Sequence, residues 1–370
     1  MVTDVTISVP QARSGISSIK AHMVATSANA GPEITISLDS NESAFGPSPK
    51  AITAAAAATC HLERYLENPA SILVPAIAAS HGLEPERLAI GFGSDDILAR
   101  IARAYLQPGT ALLRSQNSYL KVPNYAYAND AEALAAPDSN FCTDVDAMLA
   151  SLTPETRIVY LANPDNPSGA MLPGDEVRRL HAGLPGHVLL VIDGAYAEYV
   201  TDPAYATGED LVRAHDNVVV TRSFSKIHGL AGARVGWAYA APQVIDTITR
   251  ISLTFPLATP SLHAAVAALA DEDHRNYVRN ETAKLRDEAT LKLRDAGIHV
   301  YPGHGNFVLM EMKSDKNLAP KLDAALRQEG ISLRRFASPA LDSCLRMTIG
   351  HHAETRAATA ALVRLYEEMA

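Results

Sequence analysis

Apolar residues along the chain fall into two periods. Runs that are apolar at nearly every position, Val188–Ile192 and Val218–Val220, predict strands covered on both faces, as in a parallel sheet. Leu88–Gly91, Ala111–Arg114 and Thr156–Leu161 read as further strands, and alternation over 34–38 suggests a short one near the N-terminus. Helical stretches intervene. Ser48 and Pro49 suit the cap and first position of a helix through the alanines at 54–58, another begins near Leu73, and Gly174–Ala182 and Glu209–His215 follow. Strands alternating with helices predict an α/β fold with a mostly parallel central sheet and helices on both faces. After about Pro242 the order changes. Helices over 244–254, 260–270, 272–296 and 317–329, strands at 299–301, 307–311, 331–334 and 345–349, and a last helix from Ala353 predict a smaller α+β domain. The divisions expected are 1–47 (an N-terminal arm and part of the small domain), 48–250 (the large domain) and 251–370 (the small domain).

With 370 residues the chain is long for a single core. Its 47% hydrophobic and 20% charged residues are ordinary for a soluble globular protein. A formal net charge of −9 without a basic block argues against a nucleic-acid partner. Three scattered cysteines suggest neither a disulfide framework nor a metal site, and fit a reducing compartment. No signal sequence is visible over Met1–Ala30, and no apolar run nears the roughly 20 residues that span a bilayer. A cytoplasmic location is expected.

Candidate chemistry gathers where the strands end. Lys226 follows Val218–Val220 among small polar residues, in Thr221-Arg-Ser-Phe-Ser-Lys-Ile-His-Gly-Leu-Ala-Gly-Ala-Arg234. A lysine amine condenses with aldehydes, and Ser223, Ser225 and Arg234 are donors suited to a phosphate dianion. Together they suggest pyridoxal phosphate (PLP), an aldehyde cofactor with its own phosphate. Gly91-Phe-Gly93-Ser94-Asp95 opens a helix after a strand; it suits an anion held on free amides, and equally a plain tight turn. Tyr119 is placed to stack on a planar ring or to pack on the rim. Asn163-Pro-Asp-Asn166-Pro-Ser-Gly169 is a dense turn that offers the Asn166 amide, and Val188–Ile192 ends in Asp193-Gly194-Ala195-Tyr196. Ligands of parallel α/β sheets sit beyond these carboxyl ends.

With these motifs in this order, from Asn41-Glu-Ser-Ala-Phe45-Gly-Pro-Ser-Pro49 to Leu345-Arg346-Met-Thr-Ile-Gly350, the chain resembles the PLP-dependent aminotransferases of fold type I. Among them it looks most like the histidinol-phosphate aminotransferases. The resemblance implies that Lys226 bonds the cofactor aldehyde and shuttles the proton, that Asp193 pairs with the pyridine nitrogen, and that Asn166 and Tyr196 bond the ring oxygen. It implies Tyr119 against the ring, and Gly93, Ser94, Asp95, Ser223, Ser225 and Arg234 around the phosphate. Tyr65 would reach the cofactor of a partner subunit, which implies a homodimer with shared active sites. Arg346, assisted by Arg334, would clamp an anionic group of the substrate beside Asn41 and Phe45. The small-molecule partners implied are an amino donor and a 2-oxo acid; no metal is implied. The chain departs from the family pattern at Gly194, at Ser168 and at Phe45, where a substrate-binding tyrosine is usual. Phe45 tilts the expected donor toward aromatic amino acids, and a PLP-dependent decarboxylase of the threonine-phosphate type shares the same framework.

Overall fold

A computed structural model describes residues 10–19, 32–66, 68–313 and 317–369. Of the arm expected over 1–33, residues 1–9 and 20–31 lie outside the described set. The short helical turn Ser14–Ser18 docks on the large domain, where the Gly15 amide donates to Asp130 at 2.7 Å. A side chain at Gly15 would collide with the Tyr127 carbonyl, so the close approach requires glycine there.

Seven strands form the central sheet. In spatial order they are Leu88–Gly91, Gly236–Ala240, Val218–Ser223, Leu189–Asp193, Thr156–Ala162, Ala111–Ser115 and Glu132–Ala136. Only Gly236–Ala240 runs antiparallel to its neighbours. The register explains the unbroken apolar runs. Leu190, Ile192, Val218 and Val220 face one layer, with Leu73, Ile77 and Trp237. Leu189, Val191 and Val219 face the other, with Ile97, Ile101 and Ile248. Each side chain so buried contributes about 1.5–3 kcal/mol, which makes the sheet the mechanical base of the site.

Two strands of this sheet were not anticipated. Glu132–Ala136 contains no β-branched residue, and Gly236-Trp-Ala-Tyr-Ala240 is mostly small. Pairing with Ala111–Ser115 and with Val218–Ser223 decides their conformation, overriding weak local preference. The helix Thr259–Leu269, expected beyond 250 in the small domain, instead contributes Leu262, Ala265 and Leu269 to the core of the central sheet. We therefore propose a domain boundary nearer Asp271.

The C-terminal layer has its own core, which includes Leu322, Leu345, Met347 and Leu362. His299–Val300, Phe307–Glu311 and Cys344–Thr348 form an antiparallel sheet. Ile36–Leu38 pairs in parallel with Ile331–Leu333, and Leu38 enters this same core. A backbone bridge between Arg334 and Arg346 ties the two sheets together. The chain leaving Ile36–Leu38 must then cross from the C-terminal layer to the helix Pro49–Ala58, whose cap Ser48 accepts from the Lys50 and Ala51 amides. That crossing carries Asp39–Gly46 over the carboxyl edge of the large sheet.

Candidate active site

Asp193 is the last residue of its strand and is buried. Its Oδ2 accepts from the Tyr160 hydroxyl at 2.8 Å, and its Oδ1 from the Thr221 hydroxyl at 3.3 Å and the Ala195 amide at 3.2 Å. Burial pushes its pKa up; the Tyr160 bond works against the rise, and the Asp95 charge adds to it. The result is a carboxylate fixed in direction by three donors, two from the flanking strands and one from the turn that follows its own.

Lys226 lies three residues past the neighbouring strand. Its Nζ donates to the backbone carbonyls of Asn41 at 3.0 Å and Ser40 at 3.3 Å, and sits 5.7 Å from the centre of the Tyr196 ring. The crossing segment thus supplies the partners of the lysine. Asn41 itself adopts φ 54°, and its buried amide donates to the Tyr196 hydroxyl at 3.0 Å. Asn166 donates to the same hydroxyl at 3.4 Å.

Arg346 closes the other side. It is buried; Nη1 donates to Asn166 Oδ1 at 2.6 Å and Nη2 to the Asp39 carbonyl at 2.7 Å. Its guanidinium lies over the Phe307 and Phe336 rings, at 5.3 and 5.7 Å from their centres. Burial, with the Arg334 charge adding, lowers its pKa to about 10. Among the described residues its Nε has no partner, so a buried charge retains an unused donor. A carboxylate or phosphate oxygen would satisfy it.

A second anion-seeking set stands at the helix Ser94–Tyr105. Gly93 precedes it at φ 79°, and a Cβ there would lie 2.6 Å from Arg234 Nη2. A Cβ on Gly236 would come within 2.4 Å of the Ser94 amide. Both glycines therefore keep a cradle open between the helix N-terminus and Arg234, which donates to Ser225 Oγ at 3.3 Å. Ser223 Oγ accepts from the Ser225 amide at 3.0 Å. Asp95 accepts from Lys121 Nζ at 2.7 Å, from Tyr125 at 2.7 Å and from Tyr119 at 3.3 Å. Burial would raise the Asp95 pKa, but Lys121 and Tyr125 outweigh it and the pKa is lowered. Bare amides, serine hydroxyls and one arginine suit a phosphate, and an amine with a carboxylate suits a pyridine aldehyde. The residues fit PLP.

Three expected residues stand apart. Tyr65 is 77% exposed and stacks on Phe255 with ring centres 4.2 Å apart. The Arg334 side chain is exposed beside Arg346 rather than buried with it. Phe45 packs behind Tyr196 and Phe307, its ring meeting Tyr277, His351 and His352 at 5.3, 5.7 and 5.8 Å. Conversely, Tyr160, Thr221, Asp39 and Asn306 belong to the site although sequence reasoning did not single them out. A tyrosine inside a buried strand needs a partner for its hydroxyl, and that is the one signal that could have found Tyr160.

The family model for aminotransferase class I and II matches residues 33–362. The chain belongs to this family. A histidinol-phosphate aminotransferase of Rhodopseudomonas palustris (strain TIE-1) is 45% identical over 314 residues, covering 85% of this chain and 86% of that protein. The crystal structure of the histidinol-phosphate aminotransferase from Sinorhizobium meliloti in complex with pyridoxal-5'-phosphate superposes with a TM-score of 0.87 at 30% identity, covering 91% of this chain and 92% of that one. The aspartate aminotransferase from Thermus thermophilus with maleate shares the fold, with a TM-score of 0.78 at 20% identity over 90% and 92% of the two chains. This aminotransferase thus has the fold-type I architecture. Among its described residues no helix is long and apolar enough to cross a membrane.

Proposed function

We propose that this aminotransferase uses PLP to move an amino group from histidinol phosphate to 2-oxoglutarate. The observation that carries the reading is the meeting, at one sheet edge, of the Lys226 amine, the Asp193 carboxylate and the glycine-lined cradle before Ser94. The 45% identity to a protein of that activity supports the substrate.

When bound, PLP supplies an aldehyde that takes up the amino group and a ring that accepts the electron pair left on the substrate Cα. Each protein residue then has a defined task. Lys226 would hold the aldehyde, and its amine would carry the proton to and from the substrate Cα. Asp193 holds a proton on the pyridine nitrogen, and its three donors keep the carboxylate aimed. Tyr196 and Asn166 would bond the ring oxygen, and Tyr119 would lie against the ring. The Ser94 and Asp95 amides at the helix start after Gly93, with Ser223, Ser225 and Arg234, would bind the phosphate. Arg346, with its unused Nε, takes an anionic group of the substrate beside Asn41, and Arg334 adds positive charge from the surface. Phe45 favours a second donor class, aromatic amino acids, because it adds an apolar edge to the cluster under Tyr196.

The same reading proposes a cytoplasmic homodimer in which Tyr65 serves the partner's site. The exposed, stacked pair Tyr65 and Phe255 supports a covering partner at Tyr65. The deciding experiment is to add PLP, reduce with borohydride and map the modified peptide, with glutamate formation measured alongside. Modification at Lys226 and glutamate production from histidinol phosphate are expected. A cofactor bound to another lysine, or to none, overturns the assignment.

A further inference from the structure

Behind Asn166 lies a carboxyl group that the mechanism above does not use. Asp165 is 3% exposed, between the strand Thr156–Ala162 and the loop after Ala111–Ser115. Its Oδ1 accepts the Asn166 backbone amide at 2.7 Å and the Ser118 hydroxyl at 2.6 Å. Its own backbone closes the turn, with the Asp165 amide donating to the Ala170 carbonyl at 2.8 Å and the Gly169 amide donating to Asp165 at 2.9 Å. One residue on, the Asn166 side chain accepts from Arg346 and donates to Tyr196. Ser118 and Asp165 therefore anchor the backbone of Asn166, whose side chain joins the substrate arginine to the ring tyrosine.

We propose that Asp165 is a positioning residue for the substrate site: by holding the Asn166 backbone N–H, its carboxylate fixes the backbone from which the Asn166 side-chain amide reaches Arg346 and Tyr196. The inference rests on the aminotransferase reading of that site. Taking a charged carboxyl out of water is costly unless donors compensate, and the two donors on Oδ1 are what this buried aspartate has for that purpose. Four groups face it: Arg114 from the adjacent strand, Asp138 beyond that strand, Tyr160 on the strand that leads into it and Cys142. Burial raises the Asp165 pKa to about 7, against the pull of Ser118, the Asn166 amide and Arg114. Ionisation near neutral pH strengthens both hydrogen bonds to Oδ1, because a charged acceptor holds N–H and O–H donors more tightly. The site is then ordered above that pH and looser below it.

The sign for stability is opposite to that for activity. A carboxyl whose folded pKa lies above its unfolded value stabilises the chain fully below the unfolded pKa, and that contribution is lost as pH rises through about 7. The test compares wild type with Asp165→Asn, and with Ser118→Ala as a milder variant, between pH 5 and 9. Transamination of histidinol phosphate by 2-oxoglutarate and the Tm are measured in the same buffers. Wild-type kcat/KM should rise through an ionisation near neutrality that is absent from Asp165→Asn. Above that pH the variant's KM should rise about tenfold with kcat changed less, as expected for loss of a charged hydrogen-bond acceptor. The Tm of wild type relative to Asp165→Asn should fall with pH up to about 7 and then level. Ser118→Ala should move the kinetic limb to higher pH without abolishing it. Superimposable pH profiles and an unchanged KM in Asp165→Asn, in a wild type that transaminates, overturn the role alone. A wild type that does not transaminate overturns the functional reading and the role with it.

Discussion

The Tyr160 hydroxyl donates to Asp193 Oδ2 across two neighbouring parallel strands at 2.8 Å, and both groups are buried. A carboxylate placed out of water this way depends on its donors to remain charged. Removing the hydroxyl in Tyr160→Phe leaves Thr221 and the Ala195 amide, and raises the Asp193 pKa further. Asp193 must be ionised to hold the ring nitrogen, so activity is gained as pH rises through its pKa. The acid limb of kcat/KM should therefore move to higher pH, and turnover at neutral pH should fall about tenfold, the value of one hydrogen bond to a charged group. A variant with an unmoved limb would remove Tyr160 from this role.

Asp193→Asn should be more severe. The amide fills the same space, and Thr221 and Ala195 can still donate to its oxygen, so the Tm should change little. The lost charge faces the place where charge develops on the ring, and turnover should drop on the order of 10²–10³-fold. Folding is followed by circular dichroism and turnover by glutamate formation. Near-normal turnover would exclude Asp193 from the chemistry.

How much of this was legible in the sequence depended on the range of the contacts. Asp193, Lys226 and Ser94 each close an apolar strand, and strand ends of a parallel sheet point to one edge, so local pattern sufficed to group them. The partners of Lys226 did not follow from any local pattern. They are the carbonyls of Ser40 and Asn41, 186 and 185 residues away, and they arrive because Ile36–Leu38 is captured by the C-terminal layer. Asn306, which donates to the Asn41 and Glu42 carbonyls at 3.2 and 3.0 Å, is positioned by the same crossing. The strand Gly236–Ala240 escaped because its small residues carry little strand preference, while burial between two partners imposes it. Neither capture nor pairing has a sequence period of its own.

Tyr65 supplies a prediction about assembly. A ring 77% exposed and stacked on the exposed Phe255 costs apolar hydration unless a partner covers it. Light scattering should show a dimer, in keeping with two-fold closure as the commonest assembly. Tyr65→Ala should weaken PLP affinity while leaving the fold of each chain intact. An active monomer would overturn both the dimer and the role of Tyr65.

Phe45 decides between donor classes. Its ring packs against Tyr196 and Phe307 and meets Tyr277, His351 and His352 edge-on or tilted. If the phosphate of histidinol phosphate comes within reach, Phe45→Tyr adds one hydrogen bond to a charged group, about 1.5–3 kcal/mol. The kcat/KM for histidinol phosphate should then rise by roughly ten- to a hundredfold. Phenylalanine has no such group, and its kcat/KM should stay level or fall as the apolar edge is lost. The measurement is kcat/KM for histidinol phosphate, phenylalanine and tyrosine, in wild type and Phe45→Tyr, at one saturating concentration of 2-oxoglutarate. Three unchanged values would place Phe45 outside the substrate pocket, as packing for Tyr196 alone.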